Sequence, residues 1–480
     1  MDENLGKFID NFARLVELAQ SGQHRVKRGT QLLTTLTDHL AVPAEAVSVV
    51  VEEIPPHRFV DADILMAELA AEDPGFRLVG IGGGDQRHHQ SLSDMLQQSQ
   101  LFPQYPLSQP DYANLAVGPD EQRQAVALGL WLFSHGGSPI AVLQRDANPR
   151  YGRQTASLEV LAGNTDRAAR FLSEFRRQMQ HRSVLKGQVI SLMMGEYGPS
   201  AAGVTFHARP ALAASDVILP EGLLEKVSDH ALGIAEHRDT LVKYGQHLKR
   251  GVLLYGRPGT GKTHTVRYLL SQSEGVTAIL LSGGSLARIS EAATMARALQ
   301  PSIVVLEDCD LIAEDRSFGH GPQPLLFEVL DAMDGMASDA DVAFVLTTNR
   351  VDMLERALAQ RPGRVDLAVE VPLPARPERV SLIKLYARGI PFSRNSIDDA
   401  AARTEGTTAS FARELVRRAV VAAALEGVTV ADKHLGKAVS DLMADGAALT
   451  RSLLGSGTGG DADGSAGPFP GPPASFQPWP

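Results

Sequence analysis

The run Gly256-Arg257-Pro258-Gly259-Thr260-Gly261-Lys262-Thr263 has the spacing G-x-x-x-x-G-K-[ST]. Its residue types suit a chain of phosphates. Glycines let backbone N–H groups turn inward around phosphate oxygens, and a following helix adds the positive end of its dipole. Lys262 is spaced to reach β- and γ-phosphates, and the Thr263 hydroxyl to ligate Mg²⁺. His264 is counted with the loop as its first helical neighbour. A short apolar run, Val252–Tyr255, precedes the loop and a helix-like segment, His264–Leu270, follows it. That strand–loop–helix context sets a chance glycine turn aside.

A second group of residues lies 45 positions after Lys262. The apolar run from Ile303 to Leu306 ends in Glu307-Asp308-Cys309-Asp310. Hydrolysis of a nucleotide needs one carboxylate near the metal and one to polarise the attacking water. Glu307 is assigned to the Mg²⁺ shell with Thr263, and Asp308 to water activation. The usual order is Asp then Glu, so the catalytic arm here is one methylene shorter. Cys309 reads as a buried small hydrophobe. A further apolar run, Val342–Leu346, ends in Thr347-Thr348-Asn349-Arg350, and the Asn349 amide suits holding a water in line. Arg361 and Arg364 flank Pro362-Gly363. Guanidinium groups there would either stabilise phosphoryl-transfer charge in a neighbouring subunit or form a solvated turn.

With these motifs in this order, the region from about 216 to 446 resembles an AAA-family ATPase module of the AAA+ class. The resemblance rests on Gly256–Thr263, Leu306–Asp308, Thr347–Asn349 and Arg361-Pro362-Gly363-Arg364-Val365-Asp366, and it covers roughly half the chain. It implies an α/β fold with a parallel sheet and a helical lid, binding of ATP with Mg²⁺, and a ring, usually hexameric, with nucleotide at subunit interfaces. Under it Asn349 is the sensor-1 residue, and Arg361 and Arg364 are arginine fingers acting in trans. Two features depart from the pattern. Gly406-Thr407-Thr408-Ala409-Ser410 puts Ser410 where a small residue or arginine usually follows the lid glycine; Arg413, one turn on, is either its substitute or a solvated helix charge. Leu281–Ile289 lacks the aromatic residue of protein-threading relatives; Leu286 or Ile289 could grip a substrate weakly, but they read better as the first core positions of a helix, Leu286–Leu299.

These groups need elements to hold them. Alternating strand-like and helix-like segments over 216–375 predict the large α/β subdomain, and 376–446 a helical lid. Residues 1–210 predict a mixed α/β module, without recognised kin, that would capture a protein partner. In it, Leu5 to Ala19 and Leu32 to Leu40 follow helical spacing. Strands are expected near 48–53, 77–80, 139–144, 157–162 and 188–193. Residues 125–134 fit either a helix or a buried strand. Pro103–Pro110 reads as a loop, and Asn164 or Thr165 as the cap of a basic helix running to about Arg182. Gly80-Ile81-Gly82-Gly83-Gly84-Asp85 has Asp where a dinucleotide fingerprint has its third glycine, so it reads as a loop. His88-His89 lacks a third metal ligand at a suitable spacing. Residues 447–480 are rich in Gly, Pro, Ser and Asp and read as a disordered tail.

Composition bounds the rest. A chain of 480 residues suggests about three domains. Lysines and arginines number 46 against 56 acids, a net charge of −10, which with no nucleic-acid module argues against nucleic acid as partner. One cysteine excludes an internal disulfide framework. Acids follow Met1 where a signal peptide carries positive charge, and no run of about 18 apolar residues occurs. A cytoplasmic, membrane-free ATPase that remodels proteins in a homo-oligomer is the expectation. The alternative is an ATP-dependent assembly switch that hydrolyses slowly and threads nothing.

Overall fold

The computed structural model describes residues 31–101, 104–153, 155–192, 203–309, 340–350, 365–444, 450, 451, 454 and 456. The helix expected over 3–20, Arg361 and Arg364, and most of the expected tail lie outside them. The chain divides into two compact units. One comprises 1–212, 225–254 and 266–369; the other 213–224, 255–265 and 370–480.

The first unit holds two seven-stranded sheets. The first sheet is built from β1 (Val50–Ile54), β2 (Arg77–Ile81), β3 (Leu107–Ser108), β4 (Asp111–Ala116), β5 (Gln122–His135), β6 (Ser138–Arg145) and β7 (Ala156–Ala162). Its order is β1-β7-β6-β5-β2-β3, with β4 also on β5, and its pairs are antiparallel. Gly136 and Gly137, at φ +56° and +73°, form the two-residue turn between β5 and β6, where both central residues must take positive φ. Successive side chains of β5 point to opposite faces. Trp131 and Phe133 meet helices α2 (Phe59–Ala71) and α4 (Thr165–His181). Leu128, Leu130 and Leu132 meet α1 (Gln31–Leu40) and α3 (Leu92–Leu101). Helices on both faces explain why Ala125–Phe133 is apolar throughout, so that 125–134 reads equally well as helix or strand: it is a strand buried on both sides up to Phe133. The expected loop over 103–110 includes the short β3, and Asn164 caps α4 by accepting the Arg167 N–H at 3.0 Å.

The second sheet is β14-β10-β13-β12-β11-β8-β9. Its strands are β8 (Val189–Leu192), β9 (Val204–His207), β10 (Arg250–Tyr255), β11 (Thr277–Ser282), β12 (Ser302–Glu307), β13 (Val342–Thr348) and β14 (Leu367–Glu370). The pairs β8/β11, β11/β12 and β12/β13 are parallel. Near-continuous apolar strands are what a parallel sheet covered on both faces demands. Here the structure differs from the expected N-terminal module ending at 210. Val189–Ser191 pairs with Ala278–Leu280, so β8 and β9 extend the second sheet, not the first. An apolar strand must satisfy its backbone N–H and C=O groups, and β11 offers it a free edge.

The second unit contains helices over Arg376–Tyr386, Arg394–Arg403, Ala409–Leu425 and Asp432–Met443, in the stretch expected to form the lid. Ser393 and Thr408 cap two of them, accepting the N–H of Ser396 and Phe411, each at 3.2 Å. Leu382, Ile383, Phe411, Leu415, Leu435 and Leu442 form their core.

Candidate nucleotide site

The phosphate loop lies in the second unit. It leaves Gly256 at φ +144°, a conformation open to glycine, and the fit is tight as well. A Cβ at Gly256 would stand 2.3 Å from the Val371 carbonyl oxygen, while the Val371 N–H donates to the Tyr255 carbonyl at 2.7 Å. Gly261, at φ +116°, turns the chain into the helix Lys262–Gln272 with open space over its Cα. Lys262 is buried, and its Nζ donates to the carbonyls of Gly256 and Arg257, each at 2.9 Å. The buried Thr260 hydroxyl donates to the Arg257 carbonyl at 2.9 Å. Thr263 is exposed on the first turn of the helix. Amides at a helix N-terminus, a preplaced ammonium and an accessible hydroxyl form a donor set that fits a triphosphate with Mg²⁺. His264 has a different attachment: its Nε2 pairs with the Asp216 carbonyl at 3.0 Å. Arg388 donates to the Asp216 carboxylate at 2.6 Å and holds it below the usual carboxylate range.

The lid helix beginning at Ala409 reaches the same loop. The Ser410 N–H donates to the Gly259 carbonyl at 3.2 Å. A Cβ on Gly259 would meet Ser410 Oγ at 2.9 Å and the Leu454 carbonyl oxygen at 3.2 Å. Leu454 is held there by the Thr408 hydroxyl, which donates to its carbonyl at 2.6 Å. Ser410 was named from the sequence, but Leu454 and Ser456 were placed in a disordered tail; the structure corrects this, since both are hydrogen-bonded to Thr408, a long-range contact that no local pattern signals. Arg413 is exposed.

The acidic strand end lies in the first unit. β12 and β13 stop side by side, with Leu306 opposite Leu346. Glu307 is partly buried at the end of β12 and Asp308 is exposed. Asp308 has φ +52°, left-handed backbone that strains a non-glycine residue by about 1–2 kcal/mol, though less for Asp than for most. Its N–H donates to Thr347 Oγ at 3.0 Å, and the Cys309 N–H to the Thr347 carbonyl at 2.9 Å. Cys309 is buried, as its reading as a small hydrophobe requires, with Sγ 3.5 Å from the Leu306 carbonyl oxygen. Thr348 Oγ accepts the Arg350 N–H at 3.0 Å and closes the turn that carries the partly buried Asn349. Glu307, Asp308 and Asn349 thus share one end of the sheet. Thr347 was quoted in a motif from the sequence but given no role of its own. A hydroxyl residue in the last position of an apolar strand was the available signal.

The interval Leu281–Ile289 resolves toward the core. Residues 283–288 form a 3₁₀ turn, the helix runs Ile289–Ala298, and Leu286 and Ile289 are buried. In the N-terminal module, His88 stacks on Tyr151 with centroids 4.8 Å apart, and His89 meets the same ring edge-on. The basic helix α4 spends Arg176 on Glu52 and Arg177 on Glu174.

Residues 252–373 match the family model for the ATPase family associated with various cellular activities (AAA). This segment is an AAA-family ATPase module. Relatives align across and beyond it. The chain is 33% identical over 288 residues to ATP-dependent zinc metalloprotease FtsH 2 of Sphaerobacter thermophilus, covering 54% of this chain and 43% of that protein. It is 28% identical over 264 residues to ATPase family gene 2 protein homolog A of Homo sapiens, covering 52% and 29%. It is 26% identical over 214 residues to 26S protease regulatory subunit 6A of Caenorhabditis elegans, covering 42% and 49%. The chain spans less than half the length of each. Among the described residues no helix of the AAA module or its neighbours is long and apolar enough to cross a membrane.

Proposed function

We propose that this chain binds ATP at Gly256–Thr263 and hydrolyses it, using the free energy to remodel a protein partner engaged by the N-terminal module built around the first sheet, β1–β7. The observation that carries the reading is the buried Lys262 ammonium, held by two loop carbonyls at the N-terminus of a helix. An incoming triphosphate exchanges those neutral acceptors for charged oxygens, a stronger hydrogen bond. Thr263 and Glu307 would hold Mg²⁺, whose chemistry would be to neutralise charge on the phosphate oxygens. Asp308 takes the proton of the attacking water and Asn349 orients that water. Arg361 and Arg364 of a neighbouring copy supply charge to the transferring phosphoryl group in a ring of like subunits, a hexamer by analogy with the AAA family.

ATP turnover per subunit, measured across protein concentrations, tests this. Turnover that rises with concentration and is abolished by Asp308→Asn supports a shared hydrolytic site. Loss of ATP binding in Lys262→Ala locates the nucleotide. A second reading, an ATP-dependent assembly switch, draws on the burial of Leu286 and Ile289, which leaves no gripping side chain at those two positions. ATP binding with negligible turnover at every concentration would favour the switch.

A further inference from the structure

We propose that Thr347 is a positioning residue for hydrolysis: its hydroxyl and carbonyl together hold the left-handed turn that sets where the Asp308 carboxylate stands. This rests on the reading of Asp308 as the water-activating group. In a regular strand the pleat alternates side chains, so Glu307 and Asp308 would point to opposite faces. The chain departs from that pattern at Asp308, where φ is +52°. The turn, rather than the pleat, therefore directs the carboxylate.

A strained residue of this kind persists only when its surroundings over-determine it. Three contacts do so. The Asp308 N–H donates to Thr347 Oγ at 3.0 Å, a side chain standing in where the β12/β13 ladder ends. The next N–H, of Cys309, donates to the Thr347 carbonyl at 2.9 Å. The Cys309 side chain is buried against the Leu306 carbonyl, closing the turn from its other side. Thr347 itself is buried, so its hydroxyl is locked by packing. Asn349 lies two residues along the same chain. One residue thus ties the carboxylate that would activate water to the segment that would orient it. A carboxylate on a short Asp arm has less reach than Glu, so its backbone must be placed the more narrowly.

The test uses the full chain with two variants. Thr347→Val keeps shape and volume but removes the acceptor; Thr347→Ser keeps the acceptor. The valine variant is expected to lower kcat about tenfold or more with the KM for ATP nearly unchanged, and the serine variant to restore most of it. Amide hydrogen exchange gives a readout that does not depend on turnover: the Asp308 N–H should exchange faster in the valine variant and at the wild-type rate in the serine variant. A valine variant with wild-type kcat, a serine variant as slow as valine, or a loss carried in KM would overturn the proposal. If the wild type binds ATP without turning it over, the hydrolytic reading fails by itself. Exchange then decides alone, and equal rates in wild type and valine variant overturn the anchor.

Discussion

The first sheet buries Arg145 completely and pairs its Nε with Glu159 at 2.8 Å, while the second carries Asp308 exposed at a strand end. Both sheets have seven strands and both are covered by helices. They differ in where polar groups enter. In the first, Asp63 accepts the Val126 N–H and the Gln144 amide, Gln144 accepts the Trp131 indole N–H, and Glu159 accepts the Leu92 N–H. These polar groups answer one another inside the core and tie helices to strands. In the second, Ile303–Leu306 and Val342–Leu346 are buried; a buried pair, Arg250–Asp341, ties the starts of β10 and β13, and Glu307, Asp308 and Asn349 gather where β12 and β13 stop. Buried polar networks specify a fold; polar groups at strand ends are left available to a ligand.

Substitutions can break that contrast. The largest effect is expected from Arg145→Ala, which leaves the Glu159 carboxylate buried and unpaired. Burial already pulls the Arg145 guanidinium down to about 10 against the raising effect of Glu159. Denaturant unfolding should show a loss of about 3–5 kcal/mol with ATP affinity unchanged. If affinity fell in proportion, the two sheets would not be separable in function.

Next is Leu286→Ala. A threading loop residue would lose partner turnover with stability intact. A core residue should lose about 2–4 kcal/mol of stability, and the burial of Leu286 predicts the latter.

A pH titration sharpens the picture further. Burial lowers the His57 pKa to about 4, although Glu291, 3.9 Å away, pulls it up. The unfolded chain, with a histidine near 6.5, binds the proton more readily. The stabilisation is therefore fully present above about pH 6.5 and is lost as pH falls toward 4, up to about 3 kcal/mol. Asp146 works in the opposite sense. Burial raises it to about 6, so its contribution favours the fold at low pH and is lost as pH rises from about 4 to 6. Asp146→Asn should thus steepen the fall in stability between pH 6.5 and 4, and a replacement of His57 by Gln should flatten it. Melting temperatures across that window check both.

The smallest effect is expected at the exposed Arg413. Arg413→Ala should change ATP affinity by less than about twofold if the residue is a solvated helix charge. A larger loss in nucleotide titration would make it a lid sensor in place of Ser410.

Much of the candidate site was legible because its physics is local. Gly256 and Gly261 need positive φ, Lys262 starts a helix, and these demands are met within eight consecutive residues. The carboxylates ending Ile303–Leu306 and the amide after Val342–Leu346 were legible for the same reason, since an apolar run that turns polar marks a strand end. Residues 125–134 were ambiguous because burial on both faces erases the alternation that separates strand from helix. Leu286 and Ile289 read better as helix core than as a weak grip on substrate, and packing buries both.

The order of motifs, the caps at Asn164, Ser393 and Thr408, and the turn at Gly136-Gly137 follow from residue types and their near neighbours, so the amino-acid sequence determined them alone. Which edge β8 would join, that Arg145 would find Glu159, that Ser410 and Leu454 would meet Gly259, and that Thr347 would grip Asp308 depended on segments 14 to 195 positions apart reaching the same place. Pairing and burial are settled by competition among all segments for partners and for the core. No local pattern encodes its outcome.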